Sequence, residues 1–150
     1  MFEPFRTILC PVDFSDTSAA AVAYAAYLAR QCDSVVHLLY VIPAVDAEIP
    51  TELYHADKSG GADRGWAETA AKERLAALAH DHVREGTPFE IHIHMGEADT
   101  SILAVAEAIE AKVIVMATHG RTGIAHVLWG SVVEKVMHAS LCPVLVIPGR

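Results

Sequence analysis

Val113-Ile-Val-Met-Ala-Thr-His-Gly-Arg-Thr-Gly-Ile-Ala-His-Val-Leu-Trp-Gly-Ser-Val-Val133 runs from an apolar strand through a glycine-punctuated loop into a helix start. Its first part, Val113 to Met116, is an unbroken apolar run, β-branched as far as Val115, the pattern of a parallel strand covered on both faces. Ser131 and Glu134 have the Ser-x-x-Glu spacing of a capping box, which predicts a helix opening at Ser131. A strand, a glycine loop and a helix N-terminus together form a cradle for anions. The first N–H groups of a helix have no intrahelical acceptor, and the helix dipole favours negative charge beside them. Glycine lets the backbone approach such a charge closely or take up positive φ. The stretch therefore predicts a phosphate-bearing ligand.

Strand and helix patterns alternate on either side of it. Arg6 to Val12 reads as a first strand, with Ser15 or Asp16 capping an alanine-rich helix that runs to about Gln31. Val35 to Ile42 is a second buried strand, and Pro43 to Gly61 reads as a mobile connection. From about Ala62 to Arg84 the stripe Ala67, Ala71, Leu75, Leu78 has helical spacing. Phe89 to Met95 alternates, as a less buried edge strand does. Asp99 is expected to cap a helix whose stripe is Ile102, Val105, Ala106 and Ile109. Lys112 to Ala117, a helix from Ser131 to about Ser140, and a strand from Pro143 to Pro148 complete the pattern.

This βαβαβαβαβ order implies a single-domain α/β fold, an open parallel sheet with right-handed crossovers and helices on both faces. Ligands of such sheets sit beyond the carboxyl ends of the strands, where the strand order reverses. If the first and fourth strands flank that point, Pro11-Val12-Asp13 and the loop from Ala117 to Gly130 face one crevice.

Composition narrows the classes further. With 150 residues, 53% of them hydrophobic and 20% charged, the chain can bury a core without staples. A net charge of −8 argues against a nucleic-acid partner, which needs a basic footprint. The longest apolar run, Ala19 to Ala29, is too short to cross a bilayer, and no signal-peptide pattern opens the chain. Cys10, Cys32 and Cys142 are odd in number and widely spaced, so no disulfide framework is expected and the cytoplasm is the default location.

Each candidate group also has a plainer role. Gly120, Gly123 and Gly130 can be turn residues, but the loop is longer than the ~2–6 residues usual between strand and helix. Asp13 can be a turn and cap residue or a ligand for ribose, amine or metal; its position leaves both open. Arg121 and Lys112 are the cations nearest the loop in sequence. His92 and His94 share one face of a strand, and His80 and His82 flank Asp81, but no third ligand follows from spacing. Solvated histidines are the expectation there, and no metal site is assigned. Cys10 lies in a buried strand and reads as a small hydrophobe. There is no P-loop, no dinucleotide fingerprint, no nucleophile elbow and no acid/base pair, so no catalytic residue is assigned.

With these residues in view, the chain resembles the ATP-binding branch of the universal stress protein family. The resemblance runs from Ile8-Leu-Cys-Pro-Val-Asp13 to Cys142-Pro-Val-Leu-Val-Ile147. Its most specific part is a Gly-x-x-Gly-(nine residues)-Gly-Ser/Thr motif, here Ala117-Thr-His-Gly120, nine residues, then Gly130-Ser131. Ala117 stands where the first glycine is usual. The resemblance implies an adenine nucleotide alpha-hydrolase-like fold, a five-stranded sheet in the order 3-2-1-4-5. It also implies ATP as ligand, with AMP and ADP as alternatives and Mg2+ or Mn2+ accompanying it. Pro11, Val12, Asp13 and Val41 would surround adenine and ribose. Met116, Ala117, His119 and Gly120 would line the sugar and the first phosphates. Gly130, Ser131, Val132 and Val133 would cradle the phosphates, Val133 through its backbone alone, with Arg121 as the nearest cation. A homodimer through the last strand, Val144 to Ile147, is implied as well. It agrees with a flat apolar strand at a sheet edge, a liability unless paired. A regulatory stress-response module with an unknown protein partner is favoured over a slow ATPase or phosphotransferase, because no base or carboxylate pair accompanies the loop. A dimeric adaptor without nucleotide is the third reading.

Overall fold

Residues 4–44, 64–118 and 130–149 are described by a computed structural model of the chain. In order along the chain lie β1 (Thr7–Pro11), α1 (Asp16–Cys32), β2 (Val35–Ile42), α2 (Arg64–His82), β3 (Phe89–Met95), α3 (Ala98–Ala108), β4 (Val113–Ala117), α4 (Ser131–Ala139) and β5 (Val144–Ile147). Nearly all of the connection expected at 43–61 lies outside the described residues. The strands form one parallel sheet in the order β3-β2-β1-β4-β5.

Side-chain alternation in the strands divides the core between two faces. On one face Ile8, Cys10, Val36, Leu38, Val113 and Val115 are buried under α1 and α2. Ala21, Ala25 and Ala29 let α1 lie close to the sheet, and Ala71, Leu75 and Ala79 supply the buried stripe of α2. On the other face Leu9, Leu39, Ile114 and Met116 pack under Ile102 and Val105 of α3 and Val133 and Val136 of α4. Alternate residues of β1 and β4 are thus apolar in both directions, and so are those of β2 apart from His37, which is why these strands read as apolar runs. β1 pairs with both β2 and β4, so the strand order reverses beside it. With right-handed crossovers, that reversal puts the first two helices and the last two on opposite faces.

Helix starts show where local pattern and structure part. Ser15 caps α1, its side chain accepting from the Ser18 N–H, one of the two residues expected. Asp99 does not cap α3. The helix begins two residues earlier than that cap would place it, with Glu97 at the cap position and no side-chain bond there. Asp99 instead lies in the first turn, where its carboxylate suits the helix dipole, and it pairs with Lys135 of α4 at 3.6 Å. The capping box of Ser131 and Glu134 does not form either. Gly130 is the cap, with φ −65° and ψ 150°, and Ser131 is already the first helical residue.

Candidate functional site

The carboxyl ends of β1, β2 and β4 and the N-terminus of α4 enclose a crevice of about 310 Å³, the size of a small-molecule site. It opens at the reversal of strand order, where parallel sheets bind ligands. Pro11, Val12 and Asp13 form its β1 wall, and Val41 lies on β2. Met116 and Ala117 end β4, while Gly130, Ser131, Val132 and Val133 open α4. These are ten of the residues expected at a ligand; His119, Gly120 and Arg121 lie outside the described residues. Lys112 is not a crevice cation. It precedes β4, and its N–H donates to the Thr7 carbonyl at the amino end of the sheet.

Leu39 and Tyr40 of β2, Ala98 and Ile102 of α3, Ser18 of α1 and Thr118 also line the crevice. Sequence periodicity assigns Leu39, Tyr40 and Ile102 to the core, and the carboxyl end of a strand is where a core residue becomes a wall residue. Thr118 had a signal of its own, a hydroxyl residue directly after a buried strand. Buried itself, it links three segments. Its N–H donates to the Ile147 carbonyl, its carbonyl accepts from the Gly130 N–H at 2.8 Å, and its hydroxyl accepts from the Gly149 N–H.

Gly130 is needed at that contact for closeness, since its φ is open to any residue. A Cβ there would stand 3.1 Å from the Thr118 carbonyl oxygen. A glycine cap also has no side chain to offer the first turn of α4. The first intrahelical bond is from the Glu134 N–H to the Gly130 carbonyl, at 3.0 Å. The N–H groups of Ser131, Val132 and Val133 have no intrahelical acceptor, and these residues line the crevice. That end of the crevice is positively polarised, and among the described residues lining it there is no cationic side chain.

The β1 end has the opposite character. Asp13 is the one carboxylate among the described residues lining the crevice. Its Oδ1 accepts from both the N–H and the hydroxyl of Ser15, which aligns the turn into α1. Between them Phe14 adopts φ 63°, in the left-handed region that bulky residues avoid. Its ring is held from two sides, 4.7 Å from the Tyr40 ring and 4.5 Å from the Arg74 guanidinium. Cys10, behind this turn, is fully buried, and burial pushes its thiol pKa up to about 12. It is a packing residue, not a nucleophile.

Of the histidines expected to be solvated, His80, His82 and His94 are exposed, while His92 is half-buried. His92 is partnered across the sheet rather than along its own strand. Its Nε2 lies 2.8 Å from Nδ1 of His37 on β2, away from the crevice.

Comparison with known proteins gives one consistent result. The model of the Universal stress protein family matches residues 4–148. The chain is 31% identical to universal stress protein MJ0531 of Methanocaldococcus jannaschii, over 95% of this chain and 82% of that protein. The solved structure of MJ0577, a universal stress protein of the same organism, superposes with a TM-score of 0.76 at 25% identity and 99% coverage of both chains. A universal stress protein from Archaeoglobus fulgidus in complex with dAMP has the same fold, with a TM-score of 0.68 at 24% identity over 97% of this chain and 99% of that one.

Proposed function

We propose that this chain, which belongs to the universal stress protein family, binds an adenine nucleotide in the crevice and acts through that state as a regulatory module. ATP is the first candidate, with ADP and AMP as alternatives. One observation carries the reading: the glycine-capped N-terminus of α4 opens into the same crevice as the carboxyl ends of β1 and β4. Phosphates would sit on the N–H groups of Ser131, Val132 and Val133, which suit an anion. The apolar wall of Val12, Leu39 and Val41 suits a purine, with Asp13 beside the ribose. The dAMP complex of the related Archaeoglobus protein supports the ligand class. Mg2+ or Mn2+ would arrive on the nucleotide's own phosphates, because one carboxylate alone does not make a protein cage for a hard cation.

Regulation is favoured over catalysis by the lining. Its single described carboxylate is engaged in the turn before α1, and the described lining offers no second carboxylate and no histidine to share acid/base work. The reading extends to a cytoplasmic homodimer whose protein partner senses the nucleotide.

Calorimetry with ATP tests it. The native chain should bind one nucleotide, and Gly130→Val should abolish binding while the protein stays folded. The valine side chain would press on the Thr118 carbonyl and fill the mouth of the cradle. Undiminished affinity in that variant removes the site. Rapid phosphate release from labelled ATP would make the protein an enzyme instead.

A further inference from the structure

A second cluster of ligating side chains lies on the outer strands, away from the crevice. β2 and β3 pair in parallel with His37 opposite Glu90 and Leu39 opposite His92. Alternation therefore puts His37, Glu90 and His92 on one face of the sheet. His37 Nδ1 and His92 Nε2 are 2.8 Å apart. Oε2 of Glu90 is 3.6 Å from the first and 3.9 Å from the second. A hydrogen bond accounts for the two rings, but the carboxylate is beyond hydrogen-bond reach of either nitrogen. All three atoms converge on one point, each within 4.8 Å of the others.

We propose that His37, Glu90 and His92 form a binding site for a divalent transition-metal ion of the zinc class. Tetrahedral zinc holds nitrogen and oxygen ligands at ~2.0–2.1 Å, which places neighbouring ligand atoms about 3.3 Å apart. The three separations here bracket that spacing, so small side-chain shifts bring all three onto one ion. Two imidazoles and one carboxylate are a recognised zinc set that leaves a fourth position for water. Two nitrogen donors in three select against Mg2+ and Ca2+, which take oxygen. Binding needs the lone pairs of both facing nitrogens. The proton they share moves to the far nitrogen of the ring that carries it, and no other bond changes. His37 is buried, His92 is 26% exposed and Glu90 61% exposed, so the site is anchored at its base and open to solvent on the carboxylate side. None of the three lines the crevice, so this site is independent of the nucleotide reading.

Equilibrium dialysis of the untagged full chain against Zn2+, without nucleotide, tests the proposal. One tightly held zinc per chain is expected, with a rise in Tm that Mg2+ at the same concentration does not give. Loss of a second-shell partner commonly weakens a metal by 10–100-fold, so loss of a direct ligand should cost at least about tenfold. His92→Ala and Glu90→Gln should each show that loss, while His94→Ala, two residues along the strand, should leave affinity unchanged. Glu90 is exposed, so its variant decides the matter if His92→Ala folds poorly. Absence of stoichiometric zinc, equal Tm rises with Mg2+, or undiminished binding in Glu90→Gln overturns the site.

Discussion

Asp13 serves the backbone first: its Oδ1 aligns the turn into α1 through Ser15. If the carboxylate also accepts from a nucleoside, Asp13→Ala should weaken ATP and adenosine alike, by ~1.5–3 kcal/mol. Parallel titrations with both ligands check this. A loss confined to ATP would move Asp13 to the phosphate side. The variant also removes the acceptor of the Ser15 N–H, so a lower Tm is expected with it. Phe14 explains why the turn tolerates this arrangement. A left-handed aromatic residue costs about 1–3 kcal/mol and persists only where its surroundings hold it. Tyr40 and Arg74 are those surroundings.

At the scale of elements, β2 carries a titrating group into its packed face. Burial, more than any neighbour, lowers the pKa of His37 below its ordinary 6.5; Glu90 opposes that shift and His92 adds to it. The folded state then binds fewer protons than the unfolded one below pH 6.5, so this group's contribution is favourable above that value and is lost as pH falls. Denaturant midpoints measured with a chelator present should drop on going from about pH 7 to about pH 5. His37→Leu should shallow that drop; an unchanged slope would assign the pH dependence to other groups. The same strand pair shows what a linear pattern conceals. The bounds of β2 and β3 were legible as apolar and alternating runs. The neighbour of His92 was not, because spacing along one strand points to His94 while the contact is set by register with β2. Caps failed at Asp99 and Ser131 for a related reason, although α4 does open at Ser131 as expected. A capping residue is defined by its backbone conformation, and Gly130 takes the cap of α4 through its bond to Thr118, a partner fixed by the tertiary fold. The crevice was legible where glycine and the first strand marked it. It was not at Leu39 or Ile102, whose residue types say only that they are buried.

For the whole molecule, the open question of assembly falls on β5. It lies at the edge of the sheet beyond β4, and Leu145 is 41% exposed. Val144 and Val146 pack instead toward the face covered by α3 and α4. Pairing β5 with its twin across a two-fold axis would satisfy the edge and cover Leu145 in both copies. Leu145→Lys, which leaves the inner face of the strand intact, should then yield monomers by light scattering. A soluble dimer in that variant would place the interface elsewhere.

The strand order has a further consequence, for the chain while it is being made. β1, β2 and β3 are contiguous neighbours in the sheet, so they can pair once the ribosome has released residues up to Met95. The other side of β1 waits for β4, which begins at Val113. Until then the most central strand of the finished protein is a bare edge, with Ile8, Leu9 and Cys10 in its middle. Such edges recruit other chains, and long-range parallel pairing is slow to close them. The interval between the emergence of β3 and the docking of β4 is therefore when a newborn chain has most need of a chaperone's shelter.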